Sequence, residues 1–366
     1  MSLHKLPNER DSRVMPGATL NVMLEQSLGW IGNALVRARA IQGCEFDLRR
    51  LPVHRTCRWT VRRKLADFFD DVALDASFVA YRTDEGVVLL TAPGAFVYGH
   101  GHSKSGYTSC WFNVWAESRA RVAEVQARLE AIAGADRMRD ETFTLDWQFT
   151  AGNGELRSAS FQELADPLLL DEAYPSLGRP VAEFVGRYLD APECVLILLG
   201  PPGTGKTRLV RAILSEITRR KGENAEVMYT ADQRALRGDE LFVEFITGSH
   251  DAFVLEDTDL LLTARTSGNE DMHRFLAVAD GVARSQGRKI IFTTNLPNVG
   301  DIDEALVRPG RCHALVHLRS LTPEEALRLA TRICGADGTR REQAHARIQT
   351  AAAKSYSVAG VYRACA

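Results

Sequence analysis

Gly200-Pro201-Pro202-Gly203-Thr204-Gly205-Lys206-Thr207 fits the pattern G-x-x-x-x-G-K-[ST], and its flanks decide the fold. The apolar run Cys194 to Leu199 stands directly before it. Thr207 to Arg219 follows, with Leu209, Val210, Ile213, Leu214 and Ile217 at three- and four-residue steps, the spacing of one buried helix face. Strand, glycine-rich loop and helix in that order make a phosphate cradle. The glycines let backbone N–H groups turn inward, the helix N-terminus favours negative charge, and Lys206 offsets charge on the outer two phosphates of a nucleotide. The Thr207 hydroxyl is then placed for Mg2+. A glycine turn that merely links two elements is the competing reading, and the flanking periodicities argue against it.

Further short apolar runs occur at Val227 to Tyr229, Ala252 to Leu255, Lys289 to Thr293 and Ala314 to His317, separated by helical stretches. Buried parallel strands have this character. The fold expected is therefore α/β, a P-loop doubly wound parallel sheet. The chain changes character near residues 160 and 320. Three regions follow: an α+β N-terminal domain over 1–160, the large nucleotide-binding subdomain over 161–320, and a small helical lid over 321–366. Thr322-Pro323-Glu324-Glu325 opens the lid as a capping box with proline at the first helical position. Within the first region, Leu20 to Ile41 reads as an amphipathic helix, too often interrupted by polar residues to cross a bilayer. Phe78 to Tyr81 and Gly86 to Tyr98 read as strands hinged at Asp84-Glu85-Gly86, with a turn at Gly99-His100-Gly101-His102. Thr108 to Trp115 reads as a further strand, and Ser118 to Ile132 as a helix ended by Gly134.

The strand Phe253-Val254-Leu255 ends in Glu256-Asp257-Thr258-Asp259. One carboxylate at such a strand end holds the metal while its neighbour takes a proton from the attacking water. Glu256 is assigned to the metal side with Thr207, Asp257 to the base, and Asp259 to a structural role. The order Glu-Asp leaves open which of the two is the base. Asn295 ends the strand after Lys289 and can bond the γ-phosphate or the water. Arg308 and Arg311, in Arg308-Pro309-Gly310-Arg311, can stabilise transition-state charge from a neighbouring subunit.

Taken in order, GPPGTGKT, FVLEDTD, ADGVARSQGRKIIFTTN and EALVRPGR resemble the AAA ATPase family from about Asp171 to the C-terminus. The Glu-Asp order and Leu236-Arg237-Gly238-Asp239-Glu240-Leu241 are most similar to the branch of the mitochondrial AAA translocase that assembles the Rieske iron-sulfur protein, without its membrane helix. The resemblance implies ATP and Mg2+ as cofactors, ATP hydrolysis, Asn295 as the sensor, and Arg308 and Arg311 as fingers in a homo-oligomeric ring of six or seven subunits. It implies a protein substrate recognised by the N-terminal domain and remodelled or translocated. Tyr174, beside Pro175, resembles the stretch lining the family's adenine pocket. Ala235-Leu236-Arg237-Gly238 departs from the aromatic-apolar-Gly loop of threading rings, and Cys312-His313 follows the finger motif in place of Phe-Asp.

A formal charge of -2 gives no overall field toward nucleic acid or anionic membrane. Arg49 to Lys64 holds seven basic residues and Trp59 without an acid, so a nucleic-acid-associated loader or translocase is the alternative function. A nucleotide-gated scaffold with little hydrolysis is a third. His100 and His102 lack a third metal ligand in the sequence pattern, and Trp111 and Trp115 read as core packing. The seven cysteines form no C-x-x-C pair, which suits a reduced, cytoplasmic setting.

Overall fold

The computed structural model describes residues 50–366 apart from 85, 105, 140, 166–168, 263–287, 309 and 352. The helix expected over 20–41 and residues 279–287 of the third motif lie outside the described residues. The chain divides into two compact units, 1–138 and 139–366.

Among its described residues the first unit is one antiparallel sheet with two α-helices. Its elements are β1 (Val53–Val61), α1 (Leu65–Leu74), β2 (Val79–Asp84), β3 (Val87–Ala92), β4 (Ala95–Lys104), β5 (Tyr107–Ala116) and α2 (Arg119–Ala133), with strand order β1-β5-β4-β3-β2. Phe68 and Phe69 of α1 and Leu129 of α2 are fully buried against Phe112 and Val114 of β5. The expected helix start holds: the Ser118 side chain accepts from the Arg121 N–H, and Gly134 ends the helix at φ 54°.

Two expectations fail here. The run Gly86 to Tyr98 splits into β3 and β4 at Pro93-Gly94, where Gly94 has φ 68°. Gly99 to His102 lies inside β4, and its glycines answer to crowding. A Cβ on Gly101 would sit 2.4 Å from the Ser109 carbonyl oxygen. Alternation along β5 sends Phe112 and Val114 into the core and half-buried Trp111 and Trp115 to the opposite face. Trp111 stacks there on His100 and His102, with ring centres 5.4 and 5.2 Å apart, and Trp115 stacks on His54 at 4.6 Å. Trp59 is 5% exposed with the Arg137 guanidinium over its ring, so it is a core residue and is not presented for base stacking.

The second unit is built on a seven-stranded sheet. Its strands are β6 (Thr142–Thr150), β7 (Leu156–Leu164), β8 (Val195–Leu199), β9 (Ala225–Thr230), β10 (Ala252–Leu255), β11 (Lys289–Thr294) and β12 (Cys312–His317). The order is β12-β8-β11-β10-β9-β6-β7, parallel from β12 through β6, with β7 antiparallel at the edge. The α/β parallel sheet expected from the apolar runs is present. The hairpin β6–β7 belongs to it, however, so the division after Met138 falls earlier than the change of character near residue 160. Phe143 of β6 is fully buried against the second unit's core, an anchor of about 1.5–3 kcal/mol for one large apolar side chain.

Helix α3 (Val181–Asp190) precedes β8. Helix α4 (Lys206–Lys221) follows the glycine-rich loop, burying Leu209, Val210, Ile213 and Leu214 under the sheet. Three C-terminal helices, α5 (Pro323–Cys334), α6 (Gly338–Ala351) and α7 (Val358–Cys365), pack on one another. The capping box at Thr322 and Glu325 forms with both hydrogen bonds.

Candidate functional site

The site is assembled at the carboxyl ends of β8, β10 and β11, where parallel strands deliver consecutive loops to one edge. The loop from β8 to α4 turns on Gly200, Gly203 and Gly205, with φ of 151°, 81° and 93°. Side chains are also sterically barred. A Cβ on Gly200 would lie 2.1 Å from the Leu318 carbonyl oxygen, and one on Gly205 would lie 2.8 Å from the Tyr174 hydroxyl.

Lys206 opens α4 at 8% exposure. Its Nζ donates to the Gly200 carbonyl at 2.6 Å, the Pro201 carbonyl at 3.3 Å and Asn295 Oδ1 at 2.8 Å. Burial lowers its pKa, while Asp257, Asp259 and Glu256 oppose that shift. Next to it, the Thr207 hydroxyl donates to Glu256 Oε1 at 2.8 Å. Glu256 thus faces the Thr207 hydroxyl, the one expected from sequence to meet Mg2+.

Asp257 faces the lysine side. Asn295 Nδ2 donates to Asp257 Oδ1 at 2.9 Å, so one amide joins the lysine and the carboxylate. Asp257 has φ 52°, the one positive value outside glycine among the described residues. That left-handed backbone costs energy for any side-chain-bearing residue and recurs at functional positions. It is held by stapling: the Asp257 N–H donates to Thr293 Oγ1 at 3.1 Å and the Thr258 N–H to the Thr293 carbonyl at 3.0 Å. Asp259 accepts from Thr294 Oγ1 at 2.6 Å and from the Asn295 N–H at 2.8 Å, the structural role assigned to it. Its carboxylate sets where Asn295 begins.

A cavity of about 530 Å³ opens over these groups, lined by Lys206, Thr207, Glu256, Asp257 and Asn295. The C-terminal helix α7 closes one side with Val358, Ala359 and Tyr362, and the Ala359 N–H donates to the Gly203 carbonyl at 3.1 Å. The Arg208 guanidinium lies over the Tyr362 ring at 5.1 Å. A glycine cradle that excludes Cβ atoms, one buried lysine and a hydroxyl–carboxylate pair are the donor set that a nucleoside triphosphate with Mg2+ requires. Among the described residues no group of three His, Cys, Asp or Glu could hold a metal alone. A Mg2+ ion at this site would be held by Thr207 and Glu256 together with phosphate oxygens.

Six residues assigned from sequence stand apart from the cavity lining: Gly200, Pro201 and Thr204 within the loop itself, and Tyr174, Arg308 and Arg311 outside it. Tyr174 is buried beneath the loop, its hydroxyl donating to the Gly205 carbonyl at 3.1 Å, and supports the cradle from below. Arg311 is 7% exposed and donates to the Ala305 carbonyl of its own chain. Arg308 is exposed. Sequence reasoning missed Tyr229, whose hydroxyl donates to Glu256 Oε2 at 2.9 Å, because the pairing of β9 with β10 brings them together.

The sheet order, the loop and the paired carboxylates define a P-loop nucleotide-binding module. Residues 196–320 match the family model described as "ATPase family associated with various cellular activities (AAA)", with which the parallel sheet and its glycine-rich loop are consistent. The chain is similar to an ATP-dependent zinc metalloprotease YME1 homolog of Caenorhabditis elegans, 34% identical over 161 residues covering 41% of this chain and 20% of that protein. It is similar to the probable mitochondrial chaperone bcs1 of Schizosaccharomyces pombe, 33% identical over 147 residues covering 38% and 31%. A match of 26% identity over 223 residues to the peroxisomal ATPase PEX6 of Dictyostelium discoideum covers 57% of this chain and 17% of that protein. The chain thus spans about a third or less of the length of these relatives.

Proposed function

We propose that this chain is an oligomeric AAA ATPase that hydrolyses ATP to remodel or translocate a protein substrate, with the first unit as the recognition domain. The observation that carries the hydrolytic part is the chain Lys206–Asn295–Asp257 beside the pair Thr207–Glu256, which separates charge-neutralising and proton-accepting groups. Lys206 and the loop N–H groups bind the phosphates. Asp257 takes a proton from the attacking water, Asn295 orients that water, and Glu256 with Thr207 holds Mg2+. The ion would supply charge neutralisation between phosphate oxygens.

Relatives named as a chaperone, a peroxisomal ATPase and an ATP-dependent protease favour work on protein over nucleic acid. The Glu256-Asp257 order and the similarity to the chaperone bcs1 favour the Rieske-assembling translocase branch. Leu236 is 3% exposed, which favours remodelling without a central loop gripping an unfolded chain. Six described cysteines are free thiols, and no described helix is long and apolar enough to cross a membrane, both compatible with a cytoplasmic setting. Mg2+-dependent phosphate release by the purified chain, rising per subunit as sedimentation shows a ring assembling, tests the reading. Nucleotide binding without turnover at any concentration would make the chain a nucleotide-gated scaffold instead.

A further inference from the structure

The outer oxygen of Glu256 is held by a residue outside every motif. In the β9–β10 register Tyr229 stands opposite Val254, and Glu256 follows Val254 by two residues. Glu256 stands just past the end of β10 at Leu255, offset along the strand from Tyr229 by a gap that long side chains can span. Tyrosine and glutamate close that gap. The Tyr229 ring packs against the second unit's core, and its hydroxyl donates to Glu256 Oε2 at 2.9 Å while the Thr207 hydroxyl donates to Oε1 at 2.8 Å.

We propose that Tyr229 is a positioning residue for the metal-side carboxylate: it fixes Glu256 so that a single oxygen, Oε1, is presented toward Thr207 and the ion. The inference rests on the nucleotide-binding reading above and deepens it. It also gives a physical reason for glutamate, and not aspartate, at position 256. A carboxylate one methylene longer has an additional torsion to restrain, and it is long enough to meet a restraint anchored on the neighbouring strand. Aspartate at 256, one methylene shorter, would leave the Tyr229 hydroxyl without its acceptor.

The experiment measures ADP affinity by fluorescence titration of the full chain, in EDTA and across a Mg2+ series, for wild type and Tyr229→Phe. Phenylalanine keeps the ring and removes only the donor. The expected result is unchanged affinity in EDTA, an unchanged melting temperature without nucleotide, and a Mg2+ concentration for half-maximal tightening raised about tenfold, the size of one lost hydrogen bond to a charged group. In a Glu256→Gln background the same substitution should add little, since the carboxylate it positions is gone. A wild-type Mg2+ midpoint in Tyr229→Phe, or an equal loss of affinity with and without Mg2+, would overturn the proposal. Wild-type protein that binds no nucleotide would instead overturn the nucleotide-binding reading beneath it. If Tyr229→Phe lowers the melting temperature, the two-background comparison still decides, because a merely structural loss would appear equally in both.

Discussion

Asn295 donates its amide to Asp257 Oδ1 at 2.9 Å while its carbonyl oxygen accepts from Lys206 at 2.8 Å. The amide can be oriented only one way there, since Lys206 has only protons to offer and ionised Asp257 only lone pairs. It therefore couples phosphate binding to the proposed base. Asn295→Ala should lower turnover about 10- to 100-fold, because losing one oriented hydrogen bond to a charged group is worth about 1.5–3 kcal/mol. ATP affinity should change less than turnover. Steady-state kinetics separate the two, and a change in KM alone would place Asn295 in binding only.

Asp257 and Glu256 should fail differently. Asp257→Asn keeps the volume and the Asn295 neighbour but cannot accept the water's proton, so ATP binding persists and turnover falls about 10²–10⁴-fold. Glu256→Gln should chiefly shift the Mg2+ requirement. The reverse pattern in single-turnover measurements would exchange the roles of the two carboxylates.

Lys206→Ala removes a buried cation whose three acceptors, Gly200, Pro201 and Asn295, encircle the loop. ATP affinity should fall at least about tenfold. Calorimetry of the variant checks it, and wild-type affinity would remove the phosphate site from this loop.

The two arginines of the finger motif should part company. Arg311 bonds its own chain at the Ala305 carbonyl, so Arg311→Ala should destabilise the second unit by about 1–3 kcal/mol, read as a lower melting temperature. Exposed Arg308 should cost under about 0.5 kcal/mol on replacement by alanine, yet lower turnover about 10³-fold or more if it reaches a neighbour's γ-phosphate. Mixing Arg308→Ala subunits with Lys206→Ala subunits should restore part of the activity. No rescue in verified mixed rings would remove Arg308 from the interface.

Glu325 gives a pH signature. Its hydrogen bonds from Arg319 and from the Thr322 N–H hold its pKa down to about 2 from 4.5. A depressed carboxylate stabilises the folded state above its unfolded pKa and loses that contribution as pH falls toward the folded value. Glu325→Gln should therefore be less stable than wild type at neutral pH by about 1 kcal/mol, the worth of a helix cap, with the gap closing as pH falls from about 4.5 to 2. Chemical denaturation across that range checks the sign.

What the sequence determined by itself was everything encoded by contiguous residues. The glycine spacing before Lys206, the three- and four-residue steps of Leu209 to Ile217, and the capping box at Thr322 each express local backbone chemistry. The structure bears them out. Only tertiary pairing decided the rest. Gly101 reads as a turn residue until Ser109 is seen 2.4 Å from where its Cβ would be. The hairpin β6–β7 joins the second sheet because β9 offers it an edge, which composition does not record. Arg308 and Arg311 are equivalent as letters and differ in burial because the chain turns back onto Ala305. Tyr229 met Glu256 through strand register. Hydrogen bonds between residues distant in sequence depend on which edges pair and in what register, and those are set by packing the whole sheet at once.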